Sequence, residues 1–339
     1  MKKGSNSQLH TISVIIAARN EEKYIPELLK ILLDQNYPKN KFEIIVADDR
    51  STDETSNIVK ELIKINSNLK LVRIEKESKT LVGKKGALNA AISASGYDIL
   101  AFTDADCLPT RNWLMEISRH FTPEIDFIAG YSPLIIKNKL FSFLKNLERA
   151  SIFAVTAGAF GINWKISSCG RNMAYRRTLF LQVEGFSGIG HIRSGDDDLM
   201  LLKMSQHINR TTFMFTRDSI VKSYDKEDVE QMIQLENRRA SKWKFYPYSI
   251  KILTLFIFLY YILFLTALCG LIINYISPFN FAILLLIKII PEFLLLTVFL
   301  FKIRRIRLLL AFPFAELVYI PYFIYFALKG TFGKFKWKN

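Results

Sequence analysis

Cysteine is scarce: Cys107, Cys169 and Cys269 are the only three in 339 residues, far apart and odd in number. No CxxC pair and no Cys/His cluster occurs. This argues against a disulfide framework and a structural zinc site, and fits a reducing compartment. Histidine numbers four, and no Ser/His/Asp or Cys/His nucleophile set can be assembled; His191 is the one that stands just before an acidic motif. An apolar leader is missing. The sequence opens MKKGSNSQLH and runs into a strand pattern, so the first domain is expected in the cytoplasm. The polar part also lacks a basic stripe interleaved with aromatics, so nucleic acid is not the partner expected.

What the chain does have is apolar residues, half of the total, and a net charge of +15. Its length allows one large or two small domains. The apolar content is uneven. Residues 1–248 read as a soluble α/β domain, 249–329 as a hydrophobic membrane region of two to three helices, and 330–339 as a basic tail. Beyond residue 249 ten Lys/Arg face only Glu292 and Glu316, so +8 of the +15 lies there. Basic residues flanking apolar segments suit anionic lipid head groups.

Short apolar, β-branched runs predict buried strands at 12–18, 42–47 and 99–103, and a further strand at 69–74. Between them, helical spacing predicts helices over 21–34, 52–65 and 86–95. Strands alternating with helices imply a mostly parallel sheet with flanking helices and right-handed crossovers. Ligands bind such sheets at the carboxyl ends of the strands. The apolar stretch 140–164, interrupted by Lys145, Glu148 and Arg149, reads as core packing or interface contact rather than a span. Residues 250–276 and 279–301 are each long enough to cross a hydrocarbon core of ~30 Å at ~1.5 Å per residue. Lys288, Pro291 and Glu292 in the second predict a kink and a protein-facing position. A third candidate, 308–328, is broken by Pro313, Glu316 and Pro321. The run Lys302, Arg304, Arg305, Arg307 should be cytoplasmic, which two spans achieve. A third full span would put the tail outside, so the last segment is expected to be re-entrant or interfacial.

Five polar constellations punctuate the first part. Ala17-Ala18-Arg19-Asn20-Glu21-Glu22 closes the first strand. Asp48-Asp49-Arg50-Ser51-Thr52-Asp53 closes the second; Ser51 or Asp53 there suits a helix cap, while two adjacent carboxylates call for a cation or a ligand with donors. Gly83-Lys84-Lys85-Gly86 opens a helix, with backbone close to a ligand and a lysine for an anion. In Asp104-Ala105-Asp106, alternate residues face one side of an extended chain, so both carboxylates can hold a hard divalent ion. In Ser194-Gly195-Asp196-Asp197-Asp198, mutual repulsion would raise one carboxyl pKa and suit a general base; helix capping is the plainer use of the same residues.

In this order and spacing the motifs ISVIIAARNEE, EIIVADDRSTDET, GKKGALNAAI, FTDAD, GRNMAYR and SGDDDL resemble the family 2 glycosyltransferases of GT-A fold, over roughly residues 11–243, with the C-terminal segments matching membrane-bound members. The resemblance implies an inverting transferase that takes a sugar from a nucleotide diphosphate, a UDP-sugar by preference. The acceptor would be lipid-linked or a glycan at the cytoplasmic membrane face. It implies that Ala17, Arg19 and Glu21 line the base pocket and that Asp48 and Asp49 contact uracil and ribose. Lys84 would lie near the diphosphate, and Asp104 and Asp106 would hold Mg²⁺ or Mn²⁺. Asp197 would be the base, with Asp196 its substitute if the register shifts. Gly170 and Asn172 would form the floor of the sugar and acceptor pocket.

One departure matters. Processive members carry QxxRW after the base. Here 231–243 contains Gln, Arg and Trp at other spacings, leaving Arg238 and Trp243 as candidates for diphosphate or acceptor contacts. Transfer of one sugar is therefore expected over processive synthesis. A non-catalytic binding subunit and a nucleotidyltransferase are the readings from other classes, which the intact acidic motifs and the membrane segments oppose.

Overall fold

The structure, a computed structural model, describes residues 9–135, 139–225, 237 and 242–332. Contacts divide the chain into two compact units, 1–135 with 155–224 and 136–154 with 225–339.

The first unit is built on strands β1 (Ile12–Ala18), β2 (Phe42–Asp49), β3 (Leu69–Ile74), β4 (Ile99–Phe102), β5 (Cys107–Pro109), β6 (Ile125–Gly130), β7 (Met173–Arg176), β8 (Arg210–Met214) and β9 (Val221–Ser223). Its helices are α1 (Ile25–Leu33), α2 (Thr55–Ile63), α3 (Lys84–Ser93) and α4 (Trp113–His120). Further along come α5 (Lys139–Gly161), α6 (Arg177–Gln182) and α7 (Asp198–Met204).

Seven strands form one sheet in the order β3-β2-β1-β4-β7-β6-β8, while β5 and β9 pair separately. β1 is parallel to both β2 and β4. The loops after these three strands therefore emerge side by side on one edge. β7 is antiparallel to β4, with Met173 opposite Phe102. Its start lies at that same edge, so residues 170–172 enter where the parallel strands exit. The chain leaves β1 toward β2 and β3, then returns to β4 on the other side, so the crevice between β1 and β4 is a topological switch point.

Helices on both faces explain the unbroken apolar strands. Ile12, Val14 and Ile16 of β1 pack with Leu28, Leu29 and Leu32 of α1, all fully buried. Each such side chain contributes about 1.5–3 kcal/mol relative to exposure. The spacing 25, 28, 29, 32 is one helical stripe, and Pro26 in the first turn supplies a preset φ.

The second unit contains α8 (Tyr248–Ile272), α9 (Pro278–Lys302) and α10 (Phe312–Phe332). Three stretches, Tyr248–Ile272, Pro278–Lys302 and Ile306–Lys329, are long and apolar enough to cross a membrane. Ile252, Phe256, Leu259 and Leu263 form an exposed stripe along α8. Tyr261, Phe264 and Ile320 form the unit's buried cluster. Lys288 is buried, donates to Glu292 at 2.8 Å and also bonds Glu316. Pairing is how a buried charge is tolerated.

Candidate active site

The loops after β1 and β2 are laced together. Asn20 N–H donates to Ser51 Oγ (3.0 Å), Thr52 N–H to Asn20 Oδ1 (2.9 Å) and Glu21 N–H to Thr55 Oγ1 (2.8 Å). Glu22 N–H donates to Asp53 Oδ2 (3.1 Å) and Glu54 N–H to Glu22 Oε2 (2.9 Å). Asn20 and Arg50 sit in the left-handed region, at φ 55 and 60. Asp53 Oδ1 accepts from Thr55 N–H (3.0 Å) just ahead of α2, whose N-cap Glu54 makes no side-chain cap bond, while Ser51 serves the loop after β1. Ala17 lies opposite Ala47 and is half-buried, Glu21 is half-buried and Arg19 is exposed.

The two carboxylates ending β2 differ. Asp49 is held by Arg50, from Nε at 2.8 Å and Nη2 at 3.3 Å. Arg50 continues to Glu77 at 3.3 Å. Asp48 is 0% exposed; its Oδ1 accepts from Ser51 N–H at 3.0 Å, and its Oδ2 has no partner among the described residues. A buried carboxylate oxygen left unmet is costly unless a ligand supplies the donor. Beside Asp49 a cavity of about 270 Å³ opens between residues 74–83 and α3.

Gly83 (φ 63) precedes α3 in a conformation that favours glycine. Gly86 borders the cavity beside Asp49, and a Cβ there would come within 2.9 Å of Leu81 O, so the chain's own loop also requires glycine at this position. Lys84 bonds Asp104 and lies 3.5 Å from Asp196 Oδ2. The ammonium so placed has its pKa raised: burial acts against the charge, and Asp104, Asp196 and Asp197 outweigh it. Burial likewise pushes the Asp104 carboxyl up, while Lys84 and Arg171 outweigh it and hold it below the usual carboxylate range.

Asp104, Asp106 and Cys107 offer ligand atoms within 4.8 Å of one another. Burial, then Asp104 and Asp106, pushes the Cys107 thiol well up, so it stays protonated. What remains is a pair of oxygen donors, a set that fits a hard divalent cation. The lysine against Asp104 shows that the place attracts positive charge.

In the acidic run, each carboxylate takes its own partner. Asp196 faces Lys84. Asp197 accepts from Gly170 N–H at 3.2 Å and Asp198 N–H at 2.8 Å. Asp198 is buried and accepts from Leu199 N–H at 2.8 Å. Capping of α7 is thus real and falls to Asp197. A Cβ at Gly170 would lie 3.4 Å from Asp196 Oδ2 and 3.9 Å from Lys84 Nζ. Lys84, Asp104, Asp196, Asp197 and Gly170 therefore converge.

Asn172 is placed differently from the expectation of a pocket floor. It is 0% exposed. Its Nδ2 donates to Tyr131 O (3.0 Å) and Ser219 O (2.8 Å), and its Oδ1 accepts from Trp113 Nε1 (3.0 Å). It is a strut inside the core. Arg238 lies outside the described residues. Trp243 belongs to the second unit, with Lys251 Nζ 5.6 Å from its ring centroid. His191 is exposed. Arg171, to which sequence reasoning gave no role, donates to Ser223 Oγ at 3.1 Å and adds positive charge beside Asp104. Its position next to Gly170 was the available signal.

A mixed sheet flanked by helices, with paired carboxylates and a lysine at its switch point, defines a nucleotide-diphospho-sugar transferase fold. The glycosyl transferase family 2 model matches residues 13–183, and the chain belongs to that family. The chain is 31% identical over 196 residues to glycosyltransferase AglE of Haloferax volcanii, covering 56% of this chain and 60% of that protein. It is 34% identical over 123 residues to beta-monoglucosyldiacylglycerol synthase of Nostoc sp., covering 36% of this chain and 26% of that protein. These matches span less than two thirds of either relative. Among solved structures, mannosyltransferase PcManGT from Pyrobaculum calidifontis, in complex with GDP-Man and Mn²⁺, has a TM-score of 0.57 at 20% identity, over 97% of this chain and 89% of that one. That likeness supports the shared fold.

Proposed function

We propose that this chain is an inverting hexosyltransferase that moves one sugar from a UDP-sugar to a lipid-linked or glycan acceptor at the cytoplasmic face of a membrane. The observation that carries the reading is the convergence of Lys84, Asp104, Asp196, Asp197 and Gly170 at the edge where β1, β2 and β4 end.

The one buried oxygen of Asp48 without a partner among the described residues supports uracil. The base offers one imide N–H, whereas the N1–H and N2–H pair of guanine asks for two oxygens, and Ser51 N–H already uses one. Ala17, Arg19 and Glu21 would line the base pocket, and Asp49 is the ribose candidate. Asp106 and Asp104 would hold the divalent ion, Mg²⁺ or Mn²⁺, whose bound charge neutralises the diphosphate. Lys84 stabilises the negative charge that develops on the leaving diphosphate. Asp197 takes the proton from the acceptor hydroxyl as that oxygen attacks the anomeric carbon. The new C–O bond forms as the sugar–phosphate bond breaks on the opposite face, inverting the centre. Asp196 stands beside it as the alternative base.

Membrane placement is supported by the three stretches long and apolar enough to cross a membrane and by the Nostoc relative, which is named for a glucosylated diacylglycerol. In this reading 1–248 is the cytoplasmic catalytic domain, 249–329 the multi-pass anchor and 330–339 the basic tail. Lys302, Arg304, Arg305 and Arg307 lie on the cytoplasmic side after two spans. The test is nucleotide release from a panel of UDP- and GDP-sugars by detergent-solubilised protein, with and without Mg²⁺ or Mn²⁺, for wild type and Asp106→Ala. Metal-dependent release from one donor, lost in the variant, is the expected result. Equal activity in the variant overturns the metal assignment. No release from any donor, with membrane lipid extract present as acceptor, overturns the enzyme. Product length separates one added sugar from processive synthesis.

A further inference from the structure

Lys85, the neighbour of Lys84, is 0% exposed. Successive residues on a helix diverge by about 100°, so the two lysines of the first turn of α3 serve different loops. Lys84 turns to Asp104 and Asp196. Lys85 Nζ donates to the backbone carbonyls of Ile189 (3.0 Å), Ile192 (2.5 Å) and Ser194 (2.7 Å). An ammonium has three N–H bonds, and three acceptors meet them. All three lie in the segment that leads into Asp196 and Asp197.

The same segment touches residues 80–85 at backbone distance. Val82 N–H donates to Gly190 O at 3.0 Å. A Cβ on Gly190 would lie 2.5 Å from Thr80 O and 2.6 Å from Leu81 Cδ2. A methionine would fill the volume of Lys85 without the penalty of burying an ammonium. What the lysine adds is direction: it fixes three carbonyls that a hydrophobic side chain would leave free to shift.

We infer that Lys85 is a positioning residue that moors the 189–195 segment to α3 and so sets the proposed base, Asp197, against Lys84 and Asp104. This rests on the transferase reading above for the meaning of Asp197, though not for the mooring. One helical turn then organises both sides of the reaction, Lys84 the leaving group and Lys85 the base.

The test uses the full-length protein in detergent and compares wild type with Lys85→Met, Lys85→Arg and Gly190→Ala. Amide hydrogen exchange is the direct readout. Lys85→Met is expected to raise exchange about tenfold across 189–197, with β1, β2 and β4 unchanged. UDP affinity in Mn²⁺ should stay at the wild-type value. The kcat for nucleotide release with lipid extract should fall about 100-fold, the effect of an ~1 Å misplacement, while donor KM holds. Lys85→Arg, which keeps the charge and the donors, should restore part of both.

Unchanged exchange at 189–197 in Lys85→Met overturns the inference. So does a parallel loss of UDP affinity and kcat, which would mean general disruption. If Lys85→Met does not fold, Gly190→Ala disturbs the same contact from the other side. Loss of kcat with UDP affinity kept then supports the mooring, and unchanged kcat overturns it. A wild type without turnover overturns the transferase reading, and the exchange data still decide the mooring.

Discussion

Asp48→Asn separates ligand recognition from folding with one atom. In the native chain Oδ1 is satisfied by Ser51 N–H and buried Oδ2 has no partner among the described residues. Asparagine can keep the first bond and places an N–H₂ where the second oxygen was. If that oxygen receives the imide N–H of uracil, the variant loses a hydrogen bond to a charged acceptor, about 1.5–3 kcal/mol. At ~1.4 kcal/mol per decade, UDP binding weakens about 10- to 150-fold. Stability should change little by comparison, because the unmet buried oxygen is exchanged for an amide N–H₂ that is also unmet, and the melting temperature should stay close to the wild-type value. Titration calorimetry with UDP in Mn²⁺ and thermal unfolding, both on detergent-solubilised full-length protein, read the two effects. Wild-type UDP affinity in a folded variant would refute the placement of the base. A marked drop in melting temperature would show that Oδ2 has a structural partner instead.

Three further outcomes follow from contacts already described or adjacent to them. Glu43, 5% exposed, accepts from Ser13 Oγ (2.6 Å) and Gly96 N–H (2.7 Å) and pairs with Lys70 (2.6 Å). Burial pushes its carboxyl up, yet these partners outweigh it and hold it below the ordinary glutamate value. Its stabilisation is therefore full above about pH 4.3 and is lost as pH falls through the lower native value. Glu43→Gln should lose about 1–3 kcal/mol at neutral pH and show a shallower acid limb in melts down to about pH 3; parallel limbs in the two proteins would contradict this. Lys288→Met leaves Glu292 and Glu316 facing each other, which should destabilise the second unit by about 3–5 kcal/mol, with recovery when Glu316→Gln is added; detergent thermal melts check both. Trp113→Phe removes the donor to Asn172 Oδ1 and should lower stability by about 1–3 kcal/mol while leaving UDP affinity, measured by calorimetry, intact.

Strands β1, β2 and β4 were legible because each is a largely apolar run, and the acidic motifs after β2 and β4 mark the edge where ligands bind; β3, with exposed Lys70 and Arg73, is the weakest of the four patterns. Helix starts were less so. α1 begins at Ile25 rather than Glu21, because residues 20–22 spend their amides on the loop after β2, with Asn20 left-handed. α2 starts at Thr55 rather than Thr52 for the reciprocal reason. The antiparallel insertion of β7 was hidden: Met173–Arg176 is four residues with no alternation to betray its direction. Asn172 reads as polar and so as pocket, yet its partners Tyr131 and Ser219 are 41 and 47 residues away, and no local pattern reveals them. Lys84 was visible through its motif; Lys85, one residue on, reaches carbonyls more than 100 residues away.

The lacing of the loops after β1 and β2 limits where this chain can change its length. Three amides of the first loop, at Asn20, Glu21 and Glu22, are met by the second, and two of the second, at Thr52 and Glu54, by the first. A residue inserted into either would slide every pairing by a position and strand several amides at once. Insertions and deletions should therefore arrive in compensating pairs or be absent there. Length variation among descendants of this sequence would fall to connections whose amides owe nothing to a neighbouring loop.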